Sequence, residues 1–280
     1  MGWMMSTVGN LLANYLTKPL KKTTHIAPIN QETLRATLQP GDVLLVDGNT
    51  RLSVPIKYLT QSTWSHAAMY VGEDALPARE SWQMPLVLVE ADLKYGVHAI
   101  TLAHYAHLNT RICRPVGLLE EDRKRVVDFV VERIGHHYDL KNILDLGRYL
   151  FPFAPVPTRL RRRLLALGSG DPTRAICSTL IAQAFYSVSY PILPDIKREW
   201  MDDPECADCY AEIYHIRHHS LYTPRDFDIS PFFDIIKPSI VNGFNYRSIN
   251  LKTSHETSQR TAETSPDPQN SASKQKHSAS

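Results

Sequence analysis

Cysteine is scarce in this chain: four in 280 residues, namely Cys113, Cys177, Cys206 and Cys209. They are too few and too unevenly spaced for the disulfide framework of a small secreted protein, and a reducing compartment is the expectation. No apolar run approaches the roughly 18 residues of a membrane-spanning helix. The N-terminus lacks the basic start and small-residue cleavage site of a secretory signal, so the expected location is the cytoplasm, at large or at the inner face of a membrane. An excess of one charge is missing too. The formal net charge is +2, which names no partner, and the basic tract at residues 159–163 is too short to argue nucleic acid. No phosphate loop, dinucleotide fingerprint or internal repeat occurs. No cofactor is expected, and oligomeric state is not legible.

What is there falls into three zones. In residues 1–24, Trp3, Met4, Val8, Leu11, Leu12, Tyr15 and Leu16 share one helical stripe, with Ser6, Thr7, Asn10 and Asn14 opposite. Lys18, Lys21 and Lys22 come next. Two readings stand: an amphipathic helix lying in a membrane interface, drawn to anionic head groups, or a helix docked on its own domain. The opening MGWMMS also fits a myristoylation pattern. Residues 25–240 are read as one folded domain. Residues 251–280 are Ser, Thr, Gln, Lys and Ala with almost nothing to bury, and read as a disordered tail.

Within the domain, GDVLLVDG, HAAMYVGE and PLVLVEAD are short, rich in Val and Leu, and bounded by Gly, Asp or Pro, the pattern of strands in a small mixed or antiparallel sheet. SVPIKYLTQSTW between the first two reads as a short helix and loop. EEDRKRVVDFVVERIG is apolar at Val126, Val127, Val130, Val131 and Ile134, an amphipathic helix. TRLRRRLLALG reads as a solvated basic helix or a membrane-facing lid.

The most informative segment is AICSTLIAQAFYSV. Ile181, Ala184, Phe185 and Val188 mark a buried helical face, which leaves Cys177 at the helix start. There the unpaired backbone N–H groups and the helix dipole favour thiolate over thiol. A small buried hydrophobe is the plain alternative. His66 opens the strand HAAMYVG, and Glu90 ends PLVLVEAD; if these strands pair as a hairpin, both side chains reach one rim. A thiol nucleophile needs a base, and the base needs an acceptor to orient it. Cys177, His66 and Glu90 suit those roles, with Glu73, at the far end of its strand, the weaker rival for the third.

In this order, GDVLLV, SHAAMYVG, VEA and ICSTLIAQAF resemble the circularly permuted branch of the papain-like, NlpC-type cysteine hydrolases, the YiiX/YebB-like group related to lecithin retinol acyltransferase. The resemblance covers roughly residues 40–190. It implies an α+β, permuted papain-like fold, a small mostly antiparallel sheet packed against helices including the nucleophile helix. It also implies catalytic roles for His66, Glu90 and Cys177. GHHYDLKNIL is similar to a Tyr-Asp element of that branch, which implies Tyr138 near the thiol as a substrate or oxyanion hydrogen-bond donor and leaves Asp139 structural. The substrates implied are peptide, isopeptide or lipid-like acyl compounds.

Three functions are compatible with these residues: a cysteine hydrolase cleaving an amide or ester through a thioester, a thiol-dependent acyltransferase, or a non-catalytic membrane-associated binding module. Other features carry less. Cys206 and Cys209 with His215, His218 and His219 suggest a zinc site, but the step to the first histidine is short and YAEIYHIRHH alternates like a strand; no metal is expected. His98, His104 and His107, with no carboxylate or thiol partner evident, read as surface residues on a loop or short helix. Asp226 and Asp228 read as caps.

Overall fold

All four residues of VLLV at 43–46 are buried, so this strand must lie inside a sheet covered on both faces. That is its position in the computed structural model, which describes residues 14–20, 29–77, 84–136, 176–200, 210–215, 218–241, 243, 245 and 247. Contacts divide the chain into Met1–Asn242 and Gly243–Ser280, and every helix and strand among the described residues belongs to the first. Most of the stripe expected over residues 1–24 lies outside the described residues, as do Tyr138, Asp139, residues 159–163, Cys206, Cys209 and the tail at 251–280.

The described elements run α1 (Gln31–Thr37), β1 (Val43–Val46), α2 (Ser53–Thr60), β2 (His66–Tyr70), β3 (Leu86–Asp92), β4 (Gly96–Thr101), a 3-10 turn (Leu102–Tyr105), β5 (Thr110–Pro115), α3 (Glu120–Val131), α4 (Ile176–Tyr186), β6 (Asp195–Trp200), β7 (Tyr210–His215), α5 (Pro224–Asp228), β8 (Phe233–Ile236) and α6 (Pro238–Val241). Six strands form one sheet in the order β4-β3-β2-β1-β5-β8. Each neighbouring pair is antiparallel. β6 and β7 form a separate two-stranded ribbon. The fold is α+β, an antiparallel sheet packed against helices that include the one carrying Cys177, as the resemblance implied.

Alternation along the strands sorts two cores. Val43, Leu45, Ala67, Met69, Val89 and Ala91 face the helices, packing with Val126 and Val130 of α3 and Leu180, Ile181 and Phe185 of α4. Leu44, Val46, Ala68, Tyr70 and Leu88 face the other way, against Leu34 of α1 and against Leu102, Tyr105 and Leu108. Local chemistry supports each helix. The Asn30 side chain accepts from Glu32 N at 2.9 Å to cap α1, and Glu120, Glu121 and Asp122 complement the dipole at the start of α3. Asp226 closes a capping box with Thr223 at α5.

Strands β5 and β4, which flank β1, β2 and β3 in the sheet, carry no clear signature in the sequence. β5 holds Arg111 and Arg114, yet lies between β1 and β8; Arg114 escapes the cost of a buried charge by clasping Asp42 with contacts of 2.9 and 2.7 Å. β4 holds His98, which is therefore on neither a loop nor a helix. The turn before it is built by Asp92, whose Oδ1 accepts from Lys94 N at 2.9 Å and Tyr95 N at 2.5 Å. Gly96, at φ 67°, completes it. This closes a hairpin in which Glu90 stands opposite His98.

Candidate active site

Cys177 is the second residue of α4, on the turn whose backbone N–H groups lack intrahelical partners. Its side chain is buried against β2. The thiol is hydrogen-bonded with the His66 ring and receives the backbone N–H of Ala67, and the Ser178 hydroxyl lies 3.9 Å from the sulfur. α4 thus drives the sulfur against the first residues of β2.

His66 is the first residue of β2, with its ring at the strand end. Nε2 lies 2.6 Å from Glu90 Oε2, which leaves Nδ1 for the sulfur. β2 and β3 pair antiparallel with Tyr70 opposite Leu88, so His66 and Glu90, each separated from these by an even number of residues, fall on the same sheet face. The structure therefore brings the sulfur, the imidazole and the carboxylate into one chain of contacts. Glu73 is elsewhere, paired with Arg35 at 2.6 Å.

Glu90 is 4 % exposed and accepts three donors. Besides His66, the Tyr105 hydroxyl donates to Oε2, and His98 Nε2 lies 3.2 Å from Oε1. Burial pushes this carboxyl toward protonation. The His66 charge and the hydrogen bonds from His66, His98 and Tyr105 overcome that and hold it well below the usual carboxylate range. Burial alone would lower the His66 pKa; the charges on Cys177 and Glu90 reverse it and raise it well above the ordinary imidazole value. At Cys177 burial again opposes the charge, and His66 outweighs it, so the thiol falls below its ordinary value. The direction common to all three is a thiolate–imidazolium pair held by a carboxylate. Burial, then the Glu90 charge, keep Tyr105 protonated as a donor.

Cys177, His66 and Glu90 line a cavity of about 450 Å³. Val46, Leu52, Ile56 and Leu108 supply apolar wall, while Ser53 and Ser65 supply hydroxyls. Gly48 makes room there: a Cβ on it would meet Ser53 Oγ at 2.5 Å and Ser65 Oγ at 2.7 Å. His104 and His107, both exposed, stand at the cavity's edge.

His98 and Tyr105 are the site residues that sequence reasoning missed. His98, read as a surface residue without a carboxylate partner, is bonded to Glu90 through the β3–β4 register. A Gly-containing turn directly after a strand was the available signal. Tyr105 had none, since the chain between β4 and β5 returns it to Glu90. Of the expected caps, Asp226 fulfils that role, whereas Asp228 binds Arg111 at 2.6 Å and Trp64 Nε1 at 3.1 Å. Glu90, Asp92 and His98 bring donor atoms of metal-binding type within 4.8 Å of one another. Each already has partners: His98 through both nitrogens, Asp92 from the turn amides, and Glu90 from His66, His98 and Tyr105. The cluster is a hydrogen-bond network that does not fit a metal centre.

Part of the chain that builds this site is similar to known proteins. Residues 37–151 match a family described as permuted papain-like amidase enzyme, YaeF/YiiX, C92 family. The matched stretch carries His66 and Glu90 and ends before α4. A solved structure described as the metalloprotein yiiX from Escherichia coli O157:H7 aligns at 15% identity over 71% of this chain and 96% of that one, with a TM-score of 0.41. No curated protein matches. Over residues 37–151, less than half of its length, the chain is similar to the permuted papain-like amidases of the YaeF/YiiX family.

Proposed function

We propose that the protein is a cysteine hydrolase that cleaves an amide or ester bond through a thioester on Cys177. The observation that carries this reading is the unbroken contact chain from the Cys177 sulfur through the His66 ring to Glu90 at a cavity wall. The thiolate attacks the substrate carbonyl. Negative charge then develops on the carbonyl oxygen, where backbone N–H groups of the first turn of α4, which have no partner within the helix, can stabilise it. His66, protonated in the resting pair, gives its proton to the departing amine or alcohol. It next takes a proton from water, which attacks the thioester and releases the acid. Glu90 fixes the ring orientation and balances its charge throughout. Tyr138 remains our candidate for a further oxyanion or substrate contact.

The test is reaction with iodoacetamide at pH 6.5, with peptide mapping to separate the cysteines. Cys177 labels much faster than Cys113 if the reading holds, and His66→Ala removes the difference. Equal labelling in the wild type would leave a binding module instead. An activated acyl ester then forms a hydroxylamine-sensitive adduct on Cys177. Release of free acid marks hydrolysis; breakdown only on addition of an amine or alcohol acceptor marks acyl transfer.

A further inference from the structure

His98 is the buried-site group that this mechanism leaves without a task. Each ring nitrogen has one polar contact, and both partners are acceptors: Nδ1 lies 3.1 Å from the carbonyl oxygen of Gly96, and Nε2 lies 3.2 Å from Glu90 Oε1. A neutral imidazole carries one N–H and would have to set a bare lone pair against one of these oxygens. Only the doubly protonated ring satisfies both, because Glu90, ionised, has no proton to offer and a peptide carbonyl never does.

We infer that His98 is an imidazolium bound to the second oxygen of Glu90, and that through this carboxylate it sets how tightly His66 holds its own proton. The inference deepens the hydrolase reading and rests on it. Glu90 is then shared between two cations, one on each oxygen. His98 keeps the buried carboxylate ionised and oriented; at the same time its charge opposes that of His66. It thereby restrains a base that Glu90 and the Cys177 thiolate would otherwise hold permanently protonated, and a base that never releases its proton cannot activate water in the second half of the cycle. His98 is a positioning residue, acting through Glu90 rather than on substrate.

The surroundings agree. Among the described residues, the titratable groups facing His98 are Glu90 and Asp92 from β3 and Tyr95 from the turn, whose ring centroid is 5.4 Å from that of His98. The Lys94 ammonium lies over the Tyr95 ring at 4.6 Å. From the end of α3, His136 contributes its carbonyl to Val97 N. Beyond Glu90 stand His66, Tyr105 and Cys177, with the His104 ring against Tyr105 at 4.9 Å. Hydrogen bonding to Glu90, first among its influences, raises the His98 pKa against the effect of burial. The side chain is 23% exposed, so solvent protons reach it.

The experiment is a pH titration of the full chain labelled with 15N-histidine, read by long-range correlation of ring nitrogens and ring carbon protons. In the wild type at pH 7, both His98 nitrogens report as protonated. His98→Gln retains a donor for Glu90 but no charge, and moves the His66 titration upward by about one pH unit. His98→Phe, lacking the donor, slows Cys177 labelling where His98→Gln does not. A single-tautomer, neutral His98 at pH 7 overturns the inference without any variant, and so does a His66 titration unmoved by His98→Gln. If wild-type Cys177 labels no faster than Cys113, the hydrolase reading fails, while the ring-nitrogen signals still report the charge on His98.

Discussion

Two free, buried thiols stand among the described residues of this domain, and their surroundings set them apart. Cys113 sits in the middle of β5, opposite Val43 and Ile235, fully covered by core. Burial pushes its thiol far above the ordinary value, with Asp228 adding to the effect. Cys177 is covered almost as fully, and burial acts on it in the same direction. What differs is an imidazolium in contact, a backbone N–H from Ala67, and a place in the first turn of a helix. Removal from water therefore does not by itself make a sulfur inert or reactive. A single adjacent positive charge reverses the sign.

The comparison is broken most completely by His66→Ala. Without the ring, Cys177 keeps the burial and loses the compensation, so its thiol returns to or above the ordinary value of about 8.5. At pH 6.5 the iodoacetamide rate should then fall by about a hundredfold or more, approaching that of Cys113. Glu90→Gln removes the charge behind His66 but leaves the ring beside the sulfur. The expected loss is about tenfold, corresponding to roughly one unit in the thiol pKa; losses equal to those of His66→Ala would argue for another arrangement.

Acidity sharpens the contrast further. The Cys177 pKa is lowered, so its reactive thiolate persists below the ordinary thiol range and disappears only as pH falls through the depressed value. The Cys113 pKa is raised, so its labelling grows only at pH above that range. Rate profiles from about pH 4 to 10, measured by peptide mapping, should show these limbs on opposite sides of about 8.5; coincident profiles would remove the distinction. The smallest effect on the pair is Gly48→Ala. It forces Ser53 and Ser65 aside in the cavity wall, so capture of bulky electrophiles by Cys177 should weaken several-fold while iodoacetamide labelling changes little and Cys113 not at all.

Much of this arrangement is readable in the sequence alone. β1, β2 and β3 announce themselves because central strands are nearly continuous runs of Val, Leu and Ala, closed by Gly, Asp or Pro. The three residues of the contact chain could be chosen because His66 and Glu90 occupy strand ends and Cys177 a helix start, positions where side chains converge. β5 was not legible, since the arginines that interrupt its apolar pattern are neutralised by Asp42 and Asp228, far along the chain. His98 was not legible either. Its meaning depends on a cross-strand register, and nothing in a string of residues states which side chain faces which.

The hydrogen bonds that order Glu90 come from His66, His98 and Tyr105, all within one continuous stretch of polypeptide, and none involves sulfur. Replacing Cys177 with serine should accordingly leave the polar heart of the domain assembled and the neighbouring hollow intact, yet without a competent attacking atom. Such a variant is a natural trap: purified from its host, it would retain uncleaved cargo, and mass analysis of what travels with it would name the molecule this domain was shaped to receive.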